Sequence, residues 1–150
     1  MRWLLITFVV AVLPAGVFAK IPDEPLEALK ARAENARAQD QGLLFAQIAR
    51  REVAEADRFY TEGDIAKAKQ AVDDVVAYAG RASEAAQKSG KHLKNTEISL
   101  RETGRQLDDV RKTLSFEDRP YVEAAVKHVE KLRQELLERM FGPQSKGSSK

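Results

Sequence analysis

Cysteine is absent from this chain of 150 residues. Disulfides are therefore excluded, as is a lipid-modified cysteine at the end of a leader, so the fold must be stabilised by packing. Aromatic residues make up only 7% of the chain, and the single tryptophan, Trp3, lies near the amino terminus. Because 43% of the residues are hydrophobic and 32% are charged, the composition is typical of a folded domain. Its core must consist mainly of Leu, Val, Ile and Ala.

Residues that commonly carry catalysis are almost as scarce. The two histidines, His92 and His128, lie on different predicted helices, and there is no cysteine nucleophile. Neither histidine has a glutamate three residues before it, so the Glu-x-x-His pairs of di-iron bundles are absent. We expect both histidines to face solvent. The sequence predicts a protein that is not an enzyme, without catalytic or cofactor-binding residues.

Paired carboxylates occur twice, at Asp73-Asp74 and Asp108-Asp109. Neighbouring residues on a helix point about 100° apart, so neither pair converges on one ion. Glycine-rich phosphate loops and strand-borne nucleophile turns need flanking strands, and the sequence has no strand pattern. We therefore predict neither a metal site nor a bound cofactor.

The first residues follow the pattern of a secretory signal peptide. Arg2 precedes an apolar run over residues 3–13, which is broken at Pro14 and followed by Val17-Phe18-Ala19. The alternative, a membrane anchor, would need about 20 apolar residues, and this run is interrupted well before that. We predict cleavage after Ala19, with export to the periplasm or the extracellular medium and no stable membrane span in the mature protein.

Charge is nearly balanced after the leader. Removal of residues 1–19 takes away one charge, Arg2, and leaves 24 basic against 23 acidic residues. The basic field that non-specific nucleic-acid binding requires is missing. Between residues 88 and 112, however, seven basic residues stand against four acidic ones. This stretch could attract the rest of the bundle, or it could bind an anionic surface or polymer.

Four helices, A to D, are predicted from apolar spacing and from capping signals. Helix A spans Glu24 to Thr61 with a possible break at Gly42, and Gly63-Asp64 forms a tight turn. Helix B extends over residues 65–88 and helix C over 92–113. Helix D follows a cap at Asp118, tolerates Pro120 in its first turn, and ends at residue 141. Residues 20–141 form one helical domain, and residues 142–150 are predicted to be a disordered tail.

A leucine repeat on helix C indicates its packing surface. The leucines are seven residues apart, as in a coiled-coil seam: Leu93, Leu100, Leu107 and Leu114. They could pack on helix D or on a second copy of the protein. Because the loop between C and D is short, we predict packing within the chain against Val122, Val129 and Leu136.

One local pattern has the character of a known family. Six residues within residues 52–79 fall at spacings that resemble a tetratricopeptide-type helical hairpin: Ala56, Phe59, Gly63, Ile65, Ala68 and Val72. When the pattern is shifted by one repeat, Gly90 and Leu93 fall at its first two positions, but Glu97 occupies the position of the turn glycine. The resemblance implies antiparallel packing of A on B, and it suggests a peptide-binding groove.

These observations predict an all-α fold in which antiparallel hairpins, B on A and D on C, form a four-helix or tetratricopeptide-like assembly. The function we favour is that of a non-enzymatic interaction or structural protein of the cell envelope, with a protein partner in an exposed groove. The alternative is a helical bundle that binds a small molecule or an ion in a cavity between helices B and C, where Ala and Gly leave room.

Overall fold

The computed structural model describes residues 24–142. This part of the chain is all-α and contains five helices: α1 (Leu26–Glu34), α2 (Ala38–Glu62), α3 (Ile65–Ser89), α4 (Leu93–Thr113) and α5 (Arg119–Phe141). The predicted fold class is confirmed. The predicted leader, and the predicted tail beyond Gly142, lie outside the described residues.

Predicted helix A is in fact two helices, and the break is not at Gly42. Helix α1 ends where the Asn35 side-chain amide and backbone N–H both donate to the carbonyl of Ala31, at 2.9 and 3.3 Å. A side chain that bonds to its own backbone in this way competes with continuation of the helix. Arg37 is then extended, with φ −61° and ψ 144°, and α2 begins at the next residue. Gly42 lies inside α2 and is buried.

The turns between the later helices agree largely with their sequence signals. Gly63 adopts the left-handed conformation at φ 80°, and the Asp64 carboxylate accepts the Lys67 backbone N–H at 3.1 Å. The expected cap at Asp118 is wrong in detail. That carboxylate makes no capping bond, and it accepts instead from the Ser115 hydroxyl at 3.1 Å.

Two antiparallel hairpins, α2–α3 and α4–α5, form the body of the molecule. They lie side by side, so that α2 adjoins α4 and α3 adjoins α5, while α3 and α4 face each other across the diagonal. Short turns join all the consecutive helices from α2 onward, so the neighbours α3 and α5 run parallel. Helix α1 packs its backbone on α2, and its Glu34 carboxylate also forms an ion pair with Arg81 of α3 at 2.6 Å. The predicted pairing of A with B and of C with D is confirmed.

The two hairpins are held together by different kinds of side chain. Small residues dominate the buried positions of α2–α3: Ala46, Ala49, Ala56, Ala68, Ala71, Ala79, Ala82 and Ala86. In α4–α5, larger residues have no exposed surface: Leu100, Leu107, Val122, Val129 and Leu136. The leucine repeat is therefore buried within the chain, with Leu93 partly buried at one end.

Candidate interaction grooves

The histidines and paired carboxylates lie on the surface and do not converge. His92 takes the left-handed position before α4, at φ 57°, and His128 is exposed on α5. Asp73 accepts the Tyr121 hydroxyl at 2.6 Å, and Asp108 binds Lys112 and Arg111. Within residues 24–142, no group of three His, Asp or Glu side chains could hold a metal ion.

Two buried carboxylates were missed by the sequence reasoning. Glu52 is 4% exposed and lies 2.8 Å from the ammonium of Lys30, which also sits over the ring of Tyr78. Burial raises the pKa of Glu52, and this effect outweighs the Lys30 hydrogen bond, which lowers it. Because Lys30 belongs to α1 and Glu52 to α2, the pair fixes the short first helix on the bundle.

The second buried carboxylate, Glu97, accepts the guanidinium of Arg133 at 2.7 Å across α4 and α5. The hydrogen bond that Arg133 donates to Glu97 is the main cause of a raised pKa for Arg133. A signal for both glutamates existed in the sequence, because each falls on the apolar stripe of its helix. Glu52 follows Phe45 by seven residues, and Glu97 precedes Leu100 by three. Both pairs join helices and are structural.

An open groove follows the seam between the parallel helices α3 and α5. Its first part has a volume of about 380 Å³ and lies between Val76 and Ala77 on one side and Ala124 and Ala125 on the other. Its second part, of about 590 Å³, includes Gly80 and Leu132. Gly80 follows Ala77 by one helical turn, so the two parts succeed one another along the seam. We name this feature the α3–α5 groove.

Polar side chains mark both ends of the α3–α5 groove. Asp73 and Tyr121 lie at the end near the start of α5, and His128 lies further along the groove, between Ala125 and Leu132. At the opposite end the lining side chains alternate in charge: Glu84, Lys88, Glu135 and Arg139. A small-residue floor with charged ends can accept an apolar helix face and orient it by its flanking charges.

A second groove lies between α2 and α4. It has a volume of about 360 Å³, with Val53, Ala54 and Val110 on its apolar side and Asp57 and Asp109 at its rim. The small residues of α3 that predicted a cavity between helices B and C serve other purposes. Those helices face each other across the diagonal, and the alanines of α3 pack against α2 or line the α3–α5 groove.

The basic stretch over residues 88–112 divides into two halves. In the second half, Arg105, Arg111 and Lys112 bind the carboxylates of Glu102, Asp108 and Asp109. In the first half the cations are exposed and form no ion pair with any carboxylate of residues 24–142: Lys88, Lys91, Lys94 and Arg101.

Comparisons of the chain with protein-family models, curated proteins and solved structures found no match. The tetratricopeptide resemblance therefore stays a prediction. None of the helices between residues 24 and 142 combines the length and apolar character needed to span a bilayer.

Proposed function

We propose that this chain is an exported, non-enzymatic interaction protein of the cell envelope that holds an amphipathic helix of a protein partner in the α3–α5 groove. The observation that carries the proposal is the floor of small residues along the seam. Ala77, Gly80 and Ala124 leave space above them, while Val76 and Leu132 offer partly buried apolar surface. Helix axes approach to about 8–10 Å where contact residues are small.

A helical partner fits this groove better than an extended peptide does. Extended peptides gain affinity by pairing their backbone with a sheet edge, and residues 24–142 contain no strand. A helix satisfies its own backbone hydrogen bonds and needs only an apolar stripe for contact. The resemblance of the α2–α3 hairpin to a tetratricopeptide unit supports the same class of function.

Site-specific photocrosslinking in the native envelope tests the proposal. A photoreactive residue at Ala77 or Ala124 faces the groove, and the same residue at Ala31, on the exposed face of α1, is the matched control. We expect one protein adduct from both groove positions and none from Ala31. The adduct should disappear when Gly80→Trp fills the groove. Equal labelling from all three positions, or an adduct that survives Gly80→Trp, would contradict the proposal.

Export is tested separately, by the intact mass of the protein recovered from the cell. A chain beginning at Lys20 is the expected result. A chain that retains residues 1–19 and sediments with membranes would replace the exported protein by an anchored one.

The second candidate function is the binding of a small molecule in one of the open grooves. Their volumes, about 360 to 590 Å³, fall within the range of ligand pockets. A ligand that raises the melting temperature of the purified protein, and loses this effect in Gly80→Trp or Ala54→Trp, would favour this function. The photocrosslinking result separates the two candidates, because a small-molecule site predicts no protein adduct.

A further inference from the structure

One end of the bundle collects cations that have no carboxylate partner among residues 24–142. We define the basic end by Lys88, Lys91 and Lys94, around the turn from α3 to α4, and by Arg139 near the end of α5. All four side chains are exposed. Lys88 and Arg139 line the same part of the α3–α5 groove, so the α3–α4 turn and the end of α5 are neighbours. The four cations therefore form one surface.

Acidic residues are sparse in the chain segments that form this tip, although Asp40 of α2 lies 3.8 Å from His92 and binds Arg37 at 2.9 Å. The sequence has no Asp or Glu from residue 85 to residue 96, and none from residue 139 to residue 150. The nearest acid on α3, Glu84, lies about one turn further from the tip than Lys88 does. On α5, Glu138 directly precedes Arg139 and accepts from the Gln134 amide at 3.5 Å. Cations without partners repel one another, and a bound anion relieves that repulsion.

The opposite end of the bundle shows the usual arrangement in this protein. Each described lysine there is close to a carboxylate: Lys67 to Asp64 at 3.0 Å, Lys69 to Asp118 at 3.8 Å, and Lys112 to Asp108 and Asp109 at 2.9 Å. Among residues 24–142, the four cations of the basic end are thus a local group of charges without carboxylate partners, whereas Arg119 at the opposite end, which also lacks one, donates to the carbonyl of Leu114.

An exposed aromatic side chain accompanies the cations. Phe141, two residues after Arg139, is 71% exposed. Cations surrounding an exposed aromatic ring are typical of a surface that rests on an anionic bilayer, where the ring enters the boundary between headgroups and acyl chains. A site for a soluble polyanion would need the cations but would gain little from Phe141.

We propose that the basic end docks on the surface of a bilayer that contains anionic lipid. Lys88, Lys91, Lys94 and Arg139 contact the phosphate headgroups, and the ring of Phe141 enters the interface. The helices then stand away from the membrane, so the α3–α5 groove stays open along the side of the bundle. This proposal does not depend on the function proposed for that groove.

Vesicle cosedimentation tests the proposal with the full protein as recovered from the cell, its amino terminus established by intact mass. Vesicles of equimolar phosphatidylglycerol and phosphatidylcholine should bind the protein, and vesicles of phosphatidylcholine alone should not. The double variant Lys91→Glu/Lys94→Glu should bind at least tenfold more weakly. Neither lysine lines the groove, so photocrosslinking from Ala77 should be unchanged.

The matched control is Lys67→Glu/Lys112→Glu, which makes the same change of net charge at the opposite end. It should alter binding less than twofold. Phe141→Ser should weaken vesicle binding several-fold while leaving binding to soluble polyphosphate unchanged. Circular dichroism melts verify that all variants fold.

Three results would overturn the proposal. The first is an absence of binding to the anionic vesicles. The second is an equal loss in the control variant, which would reflect net charge and not a docking surface. The third is vesicle binding that Phe141→Ser leaves intact and that polyphosphate abolishes, which would identify a site for a soluble polyanion.

Discussion

The two hairpins of this molecule bury similar lengths of helix in different ways. Helices α2 and α3 meet through alanine and glycine, which allow their backbones to approach closely. Helices α4 and α5 meet through leucine and valine, whose larger side chains fill the space between them. Each hairpin also buries one glutamate beside a cation, Glu52 with Lys30 and Glu97 with Arg133. The stability of the α2–α3 hairpin should therefore fall most when a buried side chain is enlarged. The stability of the α4–α5 hairpin should fall most when a buried side chain is made smaller or charged.

The largest expected effect is in the leucine hairpin. Leu107 has no exposed surface, so Leu107→Asp removes a buried leucine and leaves an unpaired carboxylate in its place. Burial of a leucine contributes roughly 1.5–3 kcal/mol, and desolvation of the new carboxylate adds to the loss. Small domains are stable by only about 5–15 kcal/mol. We expect the melting temperature to fall steeply at every protein concentration.

Sedimentation equilibrium and thermal melts over a wide concentration range check this prediction. Arg105→Asp, on the exposed face of the same helix, is the control and should change stability by less than about 1 kcal/mol. A wild-type dimer whose melting point climbs with concentration, together with a folded monomeric Leu107→Asp, would show that the leucines form an interface between copies.

The difference between the hairpins also decides what could be predicted from the sequence. A leucine every seven residues has one common cause, a packing seam, and the α4–α5 interface was predicted correctly from it. A glycine inside a predicted helix has two common explanations: the helix breaks at that residue, or another helix approaches it closely. The sequence predicted a possible helix break at Gly42, whereas in the structure Gly42 lies inside α2 and makes a close contact with α3. The actual break, at Asn35, is due to a side-chain hydrogen bond that periodicity does not report.

The candidate sites were less predictable than the fold, for a related reason. Periodicity shows which residues of a helix turn inward, but not which helix they meet. The Ala and Gly residues of helix B suggested a cavity toward helix C, whereas Ala77 and Gly80 line a groove beside α5. The basic stretch of helix C was visible in the sequence. Which of its cations lacked partners depended on the placement of every nearby acid.

The second prediction concerns added volume in the alanine hairpin. A Cβ atom at Gly42 would lie 3.2 Å from the backbone nitrogen and the Cβ of Ala86, and 3.3 Å from the carbonyl oxygen of Ala82. Backbone atoms of α3 cannot rotate away, so the two helices would have to separate. Alanine is favoured over glycine in a helix by about 1 kcal/mol, and overpacking costs about 1–3 kcal/mol. We expect Gly42→Ala to destabilise the protein by about 1 kcal/mol.

Gly80→Ala is the matched control for Gly42→Ala, because it makes the same substitution in the middle of a helix where a new Cβ meets no atom within 4 Å. It should stabilise the protein by roughly 0.5–1 kcal/mol. Urea unfolding of both variants measures the difference. If Gly42→Ala stabilised the protein as much as Gly80→Ala does, α2 and α3 would be less tightly packed than the structure shows.

The smallest expected effect lies where the hairpins meet, at Tyr60. The hydroxyl of this α2 residue is buried and has no hydrogen-bond partner among the described residues. Burial is the main cause that raises the pKa of Tyr60 to about 12, and the charge of Asp118 on the other hairpin contributes. The fold thus favours the neutral phenol. The titration of Tyr60 therefore leaves the free energy of unfolding unchanged below pH 10 and lowers it as the pH rises from about 10 to about 12.

Tyr60→Phe removes both the unpaired hydroxyl and its titration. At pH 7 we expect a variant that is as stable as the wild type or more stable by up to about 1 kcal/mol, since an unsatisfied buried hydroxyl costs free energy. Between pH 10 and 12 it should lose less stability than the wild type does. Tyr121→Phe is the control, because its hydroxyl donates to Asp73 at 2.6 Å, and its loss should destabilise the protein by up to about 1 kcal/mol at pH 7. Changes of opposite sign in the free energy of unfolding of the two variants, measured by urea unfolding, would support this account. A clear loss of stability in Tyr60→Phe at pH 7 would mean that the Tyr60 hydroxyl forms a hydrogen bond in the folded protein, which would contradict this account.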